Sequence, residues 1–501
     1  MKELFQFVER VDWIHLKLGS FGSLSIDYYL GVDGLSISLV LLTGLITFIA
    51  SLDSWSVEKK ARAYQALFLL LSGTLMGCFV ALDFFLFYLF FEFMLLPMYF
   101  LIGIWGGERR EYAAIKFFIY TLLGSILILI VMIVLAFTAI DLEKSQAAFN
   151  PSANASQTKI LSYEDLNQKM EAGQINTAKL VHSLDIILLM NPQIYQTSTL
   201  LNPEDASRSL GLNAYQWVFL ALLLGFLIKL PSVPFHTWLP DAHVEASTPI
   251  SVVLAGVLLK VGAYGIIRLA YGIFPEAAHF FSPFIALLAT LSIIYGALNA
   301  LAMADLKKMI AYSSVSHMGF VLLGICSLNS IGLNGALFQM FSHGLLSALL
   351  FLIAGVLYDR TRDRSIASYR GLQNHLPVFS FWVALAFFAS LGLPGFSGFI
   401  GELFSLMGAF RSSEVPLWMA VLSTFGILLS AAYFLWTYQR MFLGSFWIRG
   451  KEKWLDQMSD LNGLEKFLLG TLGFLSLLFG LFPQIIFSKI NQSIEYFSLL
   501  F

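Results

Sequence analysis

The chain is written in apolar runs of about 20 residues, repeated from end to end and separated by short polar breaks. A helix of that length crosses the ~30 Å hydrocarbon core of a bilayer. Inside lipid only helices and closed barrels satisfy their own backbone, and these runs are too long for barrel strands. Twelve spans are predicted, at roughly 29–52, 65–82, 84–105, 113–138, 215–234, 249–268, 283–303, 309–327, 331–357, 378–409, 416–442 and 464–486. Charged residues make up 12% of the 501, about half the usual fraction in a soluble domain, which is too little to coat a water-soluble particle. The expected class is therefore all-α, a polytopic membrane protein with about 12 transmembrane helices in one domain, 1–501. The opening Met-Lys-Glu-Leu-Phe-Gln-Phe-Val-Glu-Arg lacks the compact apolar core of a signal peptide.

Basic residues favour the cytoplasmic side. One set of alternate short loops holds Lys59, Lys60, Arg62, Arg109, Arg110, Lys307, Lys308, Arg360, Arg362, Arg364, Arg370, Arg440, Arg449, Lys451 and Lys453. The opposite loops hold Arg268 and Arg411, and the tails on that side add Lys2, Arg10, Lys17 and Lys489. Fifteen against six places both termini outside, together with the long 139–214 loop. That loop's Asn-Pro-Ser-Ala-Asn-Ala-Ser-Gln-Thr stretch and lone apolar run Ile186–Met190 predict a partly folded surface cap. Two cysteines, Cys78 and Cys326, sit inside spans with no CxxC or Cys/His cluster, which argues against a disulfide or an iron–sulfur site. No nucleotide-binding loop, dinucleotide fingerprint or basic nucleic-acid surface is present.

The stretch 84–100 is nearly solid hydrocarbon with one carboxylate, Glu92. With the helix ends set aside, the embedded ionisable groups are Glu92, Lys229, Lys260, His317, His343 and Glu402. A charge at the centre of a lone inserted helix costs about 2.5–3.5 kcal/mol, so each is retained for a reason. One reading makes them ion pairs that lock helices, or groups that snorkel to the interface. The other makes them a proton path. Burial lowers a lysine's proton affinity and a nearby carboxylate restores it, so a lysine whose partner moves becomes a proton donor near neutral pH. Histidines relay between such sites.

Two interrupted spans favour the second reading. Lys229 is followed by Leu-Pro-Ser-Val-Pro, so Pro231 and Pro234 break its helix. Leu-Gly-Leu-Pro-Gly-Phe-Ser-Gly-Phe-Ile-Gly-Glu, ending at Glu402, carries Pro394 and four glycines. Interrupted spans beside ionisable residues in both halves point to a transporter of two inverted five-helix repeats, each with a broken helix. The repeats fall at about 65–268 and 283–442, with a C-terminal helix at 464–486. Asp33 is expected to cap the first span, and Asp83 to be a loop or interface carboxylate. His236, Asp241 and His243 are expected in a cytoplasmic loop over the proton entrance, and the basic residues at 307–308 and 360–370 as anchors.

Five motifs carry a family resemblance: Phe-Glu-Phe-Met-Leu-Leu-Pro-Met-Tyr-Phe-Leu-Ile, Ala-Ala-Ile-Lys-Phe-Phe-Ile-Tyr-Thr, Lys-Leu-Pro-Ser-Val-Pro-Phe-His-Thr-Trp-Leu-Pro-Asp-Ala-His, Leu-Ala-Gly-Val-Leu-Leu-Lys and Lys-Lys-Met-Ile-Ala-Tyr-Ser-Ser-Val-Ser-His-Met-Gly-Phe. With them the chain, from about Ile26 to about Pro483, resembles the antiporter-like subunits of respiratory complex I, which are related to multisubunit Na+/H+ antiporter subunits. The resemblance implies a Glu92–Lys229 pair, then Lys260 on a central axis continued by His317 and His343, with Glu402 at its end. L- and N-type sibling chains carry lysine at that last position, so the acid sets this chain apart from both. It also implies a bacterial inner-membrane, multi-pass location and partnership with other membrane subunits, the L- and N-type chains among them. No cofactor is expected in this chain, and NADH, FMN, iron–sulfur clusters and quinone are expected in partner subunits. The chain begins about where the third of the family's usual fourteen spans would start, implying a misplaced start, a version without two peripheral helices, or spans beyond the twelve counted here. The alternatives are a subunit of a multisubunit Na+/H+ antiporter and a purely structural membrane subunit.

Overall fold

The protein is described here from a computed structural model covering residues 5–149, 162–163, 165, 177–195, 201–203, 209–450 and 459–501. The Asn-Pro-Ser-Ala-Asn-Ala-Ser-Gln-Thr stretch of the expected cap lies outside those residues, as do Lys2, Lys451 and Lys453. Among the described residues, ten helices are long and apolar enough to cross a membrane. They are α1 (Gly34–Asp53), α2 (Ala61–Val80), α3 (Phe84–Trp105), α4 (Arg110–Thr138), α7 (Thr248–Tyr271), α8 (Pro275–Ala302), α9 (Leu306–Cys326), α10 (Ser330–Thr361), α13 (Leu417–Phe442) and α14 (Gly463–Leu481). The two remaining predicted spans are interrupted. One is α5 (Ala214–Lys229) followed by α6 (Trp238–Glu245), the other α11 (Pro377–Ser390) followed by α12 (Ser397–Arg411). The breaks fall on Pro231 and Pro234 and on Leu-Gly-Leu-Pro-Gly-Phe, where proline removes a helical donor and Gly392 and Gly395 take φ of +82° and +103°.

A small sheet caps one end of the helices. Strands β1 (Gln6–Lys17) and β2 (Ser23–Val32) form an antiparallel hairpin. Strand β3 (Val181–Ser183) adds to β2 in parallel, with Ser23 opposite Val181 and Ser25 opposite Ser183. At its heart Asp27 accepts from Arg10 Nε at 2.8 Å and from Lys144 Nζ at 2.8 Å. Burial works to raise this carboxyl, but Lys144 and Arg10 override it and hold Asp27 below its ordinary value. The run Ile186–Met190 supplies a short buried helix, Ile186–Leu189, capped by Asp185. The C-terminal amphipathic helix α15 (Gln484–Ser498) reaches the same end, where the Gly34 amide donates to Ser493 Oγ at 2.9 Å.

Asp33 caps α1 through a capping box with Ser36, as expected, and also accepts from Arg268 at 2.5 Å with both side chains buried. Arg268 is therefore not a loop residue; it belongs to the last turns of α7. Asp83 caps α3 by accepting from the amides of Phe85 and Leu86, and burial pushes it up to about 7. At the opposite end Arg360 grips Glu465 through two bonds of 2.8 and 2.7 Å, and Arg364 lies 3.5 Å from Asp305. Lys307 departs from the anchoring role. Its side chain is buried, and Nζ donates to the Ala246 carbonyl at 3.0 Å, joining α9 to the end of α6.

Burial sorts the helices. Every residue in the most apolar window of α7 is buried, and 94% in those of α9 and α10, against 33–56% in the other seven long helices. These three form the axis of the molecule. Without a hydrophobic force between helices in lipid, small residues set how closely such an axis packs. A Cβ on Gly344 of α10 would lie 2.9 Å from the Gly256 carbonyl of α7, so only glycine allows that approach.

Candidate functional site

The three most enclosed helices carry three of the six embedded groups: Lys260 on α7, His343 on α10 and His317 on α9. Lys260 stands at the seam that Gly256 and Gly344 open, four residues beyond one glycine and across from the histidine beside the other. Its Nζ meets His343 Nδ1 at 2.8 Å and also donates to the Ala255 carbonyl. That carbonyl lies in a π-wound turn, Leu254–Leu258, and a second such turn, Ile266–Tyr271, follows the lysine. Wider winding of this kind, frequent at functional sites, leaves a carbonyl within reach of the residue five positions on.

From His343 the line continues to His317, with ring centroids 5.6 Å apart and planes inclined at 51°. His317 Nδ1 then meets Glu402 Oε1 at 2.9 Å. The spatial order is thus Lys260, His343, His317, Glu402, which corrects the sequence-based order in which His317 precedes His343. Side chains on α9 and α10 interleave by helix packing, and chain order does not fix which is nearer the lysine.

Beside this line is a cavity bordered by Ser313, Ser314, Gln339, Ser390 and Glu402, with about 10 Å³ open to water centres. That is the room one water needs. Four buried oxygens in the region, Glu402 Oε2, Gln339 Oε1, Ser390 Oγ and Ser405 Oγ, lack a protein partner. A water there would satisfy the cavity-lining acceptors, and such a water is also what a proton needs to move between them. Glu402 is held by the second helix break. A Cβ on Gly392 would sit 3.0 Å from Glu402 Oε2, so the glycine clears a space for the carboxylate.

The first half of the site is arranged differently. Lys229 is the last residue of α5, buried at 1% exposure, with no hydrogen-bond partner on Nζ among the described residues. The Phe91 and Phe117 rings lie 4.9 and 5.6 Å from the ammonium. Glu92, the residue after Phe91, is half-buried with Oε1 likewise unpartnered. The implied Glu92–Lys229 ion pair is therefore open, and cation–π contacts hold the lysine instead. The end of α5 docks on α7 beside Lys260: a Cβ on Gly262 would lie 2.7 Å from the Leu230 amide.

The structure corrects the loop placement of His243. It is not in a loop but in helix α6, fully buried and stacked on Phe351 at 4.4 Å and 14°, with neither ring nitrogen partnered. The signal was the pattern Trp238, Leu239, Ala242, whose apolar side chains are all buried on the same short helix. His236 is also buried, against Tyr295 and Tyr312, and Asp241 pairs with Lys116 at 2.7 Å. Both cysteines are buried and free.

Comparison with known proteins matches this architecture throughout. A family model described as NADH:quinone oxidoreductase/Mrp antiporter, TM, matches residues 81–163 and 160–430. NADH-quinone oxidoreductase subunit M of Rhodobacter capsulatus is 40% identical over 98% of this chain and 84% of its own length. Chain 4 1 of the NAD(P)H-quinone oxidoreductase of Synechococcus elongatus is 39% identical over 96% and 78%. A chain of respiratory complex I from Thermus thermophilus superposes with a TM-score of 0.74 at 29% identity, covering 99% of this chain and 89% of that one. A chain of the Mrp complex from Dietzia shares the fold at a TM-score of 0.72 and 19% identity. Buried lysine and histidine on the enclosed helices with a glutamate beside them, two broken spans and a family match over most of the sequence agree, and the chain belongs to the NADH:quinone oxidoreductase/Mrp antiporter transmembrane family.

Proposed function

We propose that this chain is the proton-translocating M-type membrane subunit of a bacterial NADH–quinone oxidoreductase, passing protons through Lys229, Lys260, His343, His317 and Glu402. The observation that carries the reading is the line of titratable groups from Lys260 to Glu402, with contacts of 2.8 and 2.9 Å at its two ends and facing imidazoles 5.6 Å apart between them. Its relatives over nearly the whole chain are named as subunit M or chain 4 of such enzymes.

In this reading quinone reduction elsewhere in the complex perturbs a neighbouring subunit, and Glu92 approaches or leaves Lys229. The open arrangement described above is the state in which Glu92 stands off and makes no direct contact with the Lys229 ammonium. A proton then passes to Lys260, on to His343 and His317, and through water beside Glu402 to the outer face. Groups this close exchange protons as a set and titrate as one. His243, which lies among the same buried helices, is a candidate for water-linked entry from the basic end. NADH, FMN, iron–sulfur clusters and quinone belong to partner subunits, and the L- and N-type chains flank this one. Both termini lie outside, supported by the gathering of the hairpin, the 139–214 segment and α15 at the end opposite the basic loops. The broken spans α5–α6 and α11–α12 stand at matching points of two inverted repeats.

The test is purification of the tagged chain from its own membrane with its partners, followed by reconstitution in liposomes. Co-purifying quinone-reducing and iron–sulfur subunits together with NADH-driven acidification support the reading. Glu92→Gln and Lys229→Ala should nearly abolish pumping while assembly persists. A complex of small antiporter subunits without redox partners would assign the chain to a Na+/H+ antiporter. Loss of assembly without a specific pumping defect in both variants would make the buried charges structural.

A further inference from the structure

At the basic end of the molecule, away from the proton line, lies a groove of about 1020 Å³. It is built by a close fold of the chain after α10. Strands β4 (Tyr369–Arg370) and β5 (Trp447–Ile448) pair antiparallel and set Arg370 opposite Trp447. Gly371 and Gly444 take φ of +65° and +91° to make that approach, and a Cβ on Gly444 would lie 3.0 Å from Arg370 Nε. From α13 come Trp436 and Arg440, the guanidinium over the indole at 4.5 Å. Among the described residues neither Arg370 nor Arg440 forms an ion pair, although other arginines at this end do. The two tryptophans are 40% and 47% exposed.

Two arginines with no ion pair among the described residues, framed by two half-exposed indoles, form an anion cradle at the level where aromatic side chains meet the membrane interface. The groove does not end in water. Leu443 borders it, and exposed apolar residues of α13, Leu435, Leu428 and Phe425, lead from it along the helix. A free anion has no use for that apolar track, whereas a lipid with its phosphate at the arginines has somewhere to lay its chains. An acidic protein segment would meet the arginines but leave the track bare.

We propose that the groove between the β4–β5 ribbon and α13 binds the phosphodiester headgroup of an anionic phospholipid of the inner leaflet. Arg370 and Arg440 hold the phosphate, Trp436 and Trp447 flank the glycerol level, and the acyl chains lie on the exposed face of α13. The site stands independently of the proton pathway.

The test uses the whole complex that contains the chain, purified in mild detergent and stripped of loosely held lipid. Native mass spectrometry counts retained phospholipid. Thermal unfolding is then followed with added phosphatidylglycerol, phosphatidylcholine or inorganic phosphate. Phosphatidylglycerol should bind and raise the unfolding temperature, and the other two should not. R370Q/R440Q should weaken the binding roughly thirtyfold, from about 1 kcal/mol for each basic residue. Binding to the unaltered complex should weaken as salt rises. That measurement holds even where the double variant fails to assemble. Unchanged affinity in the assembled variant, or salt-independent binding, would overturn the proposal. Equal protection by inorganic phosphate would make this a free-anion site instead, and a photo-crosslinker at Trp447 that captured a protein chain would assign the groove to a partner.

Discussion

His343 is the joint of the proton line, and replacing it tests the proposed mechanism most directly. Its ring touches Lys260 Nζ at 2.8 Å on one side and faces His317 at 5.6 Å on the other. In His343→Ala, Lys260 keeps only the Ala255 carbonyl and loses a charge-assisted bond worth about 1.5–3 kcal/mol. At about 1.4 kcal/mol per decade, transfer out of Lys260 should slow by roughly ten- to a hundredfold. His343→Gln separates relay from scaffolding, because an amide can still bond the lysine but carries no titrating nitrogen. The assay is NADH-driven quenching of a pH-sensitive dye in proteoliposomes, with NADH–ferricyanide activity as the measure of assembled complex. Both variants should assemble and lose most pumping. Pumping within about twofold of the unaltered complex in either would refute a route through this ring.

Three further outcomes are expected. Gly392→Ala sets a methyl 3.0 Å from Glu402 Oε2 at a φ of +82°, a conformation costing an L residue about 1–2 kcal/mol; pumping per NADH oxidised should fall in assembled complex. Gly344→Ala meets the Gly256 carbonyl at 2.9 Å and must part α7 from α10, destabilising by about 1–3 kcal/mol and weakening the Lys260–His343 contact, as melting and pumping assays would show together. Asp27, held below its ordinary value, contributes stability that is complete above pH about 4 and lost as pH falls through the folded-state value. Hydrogen exchange in the β1–β2 hairpin should rise on acidification, and Asp27→Asn, by giving Arg10 and Lys144 a neutral amide in place of their shared carboxylate, should loosen it at neutral pH by about 1–3 kcal/mol, the cations being part-exposed.

The spans were legible because lipid enforces a length and a polarity that few other contexts impose. The breaks at Pro231 and Pro394 were legible because proline and glycine act locally. Embedded charges announced themselves by cost alone. What escaped the sequence depends on which faces meet. The order of His317 and His343 follows from how α9 and α10 interleave, and the open Lys229 from where the Phe91 ring falls. His243 hid because its helix has only eight residues, too few for a periodic signal to separate it from a loop. The hairpin at 6–32 was missed because its first strand is largely exposed, and its shape is fixed by Asp27 drawing in Arg10 and a lysine more than a hundred residues away. Arg268 reads as a loop residue and Lys307 as an anchor because their partners, Asp33 and the Ala246 carbonyl, are distant in the chain.

The doubled π winding of α7 has one last consequence, for length. Each π turn takes in a residue more than an α turn would, so the stretch carrying Lys260 is phased separately from both anchored ends of its helix. Dropping one residue from Leu254–Leu258 would let that turn relax to ordinary pitch, keeping the rod whole and the lysine on nearly the same side of the axis. In α9, wound as α throughout, the same deletion has no slack to consume and would throw half the helix out of its packing. The lysine-bearing rod is thus the place where the chain can lose a residue without changing its fold.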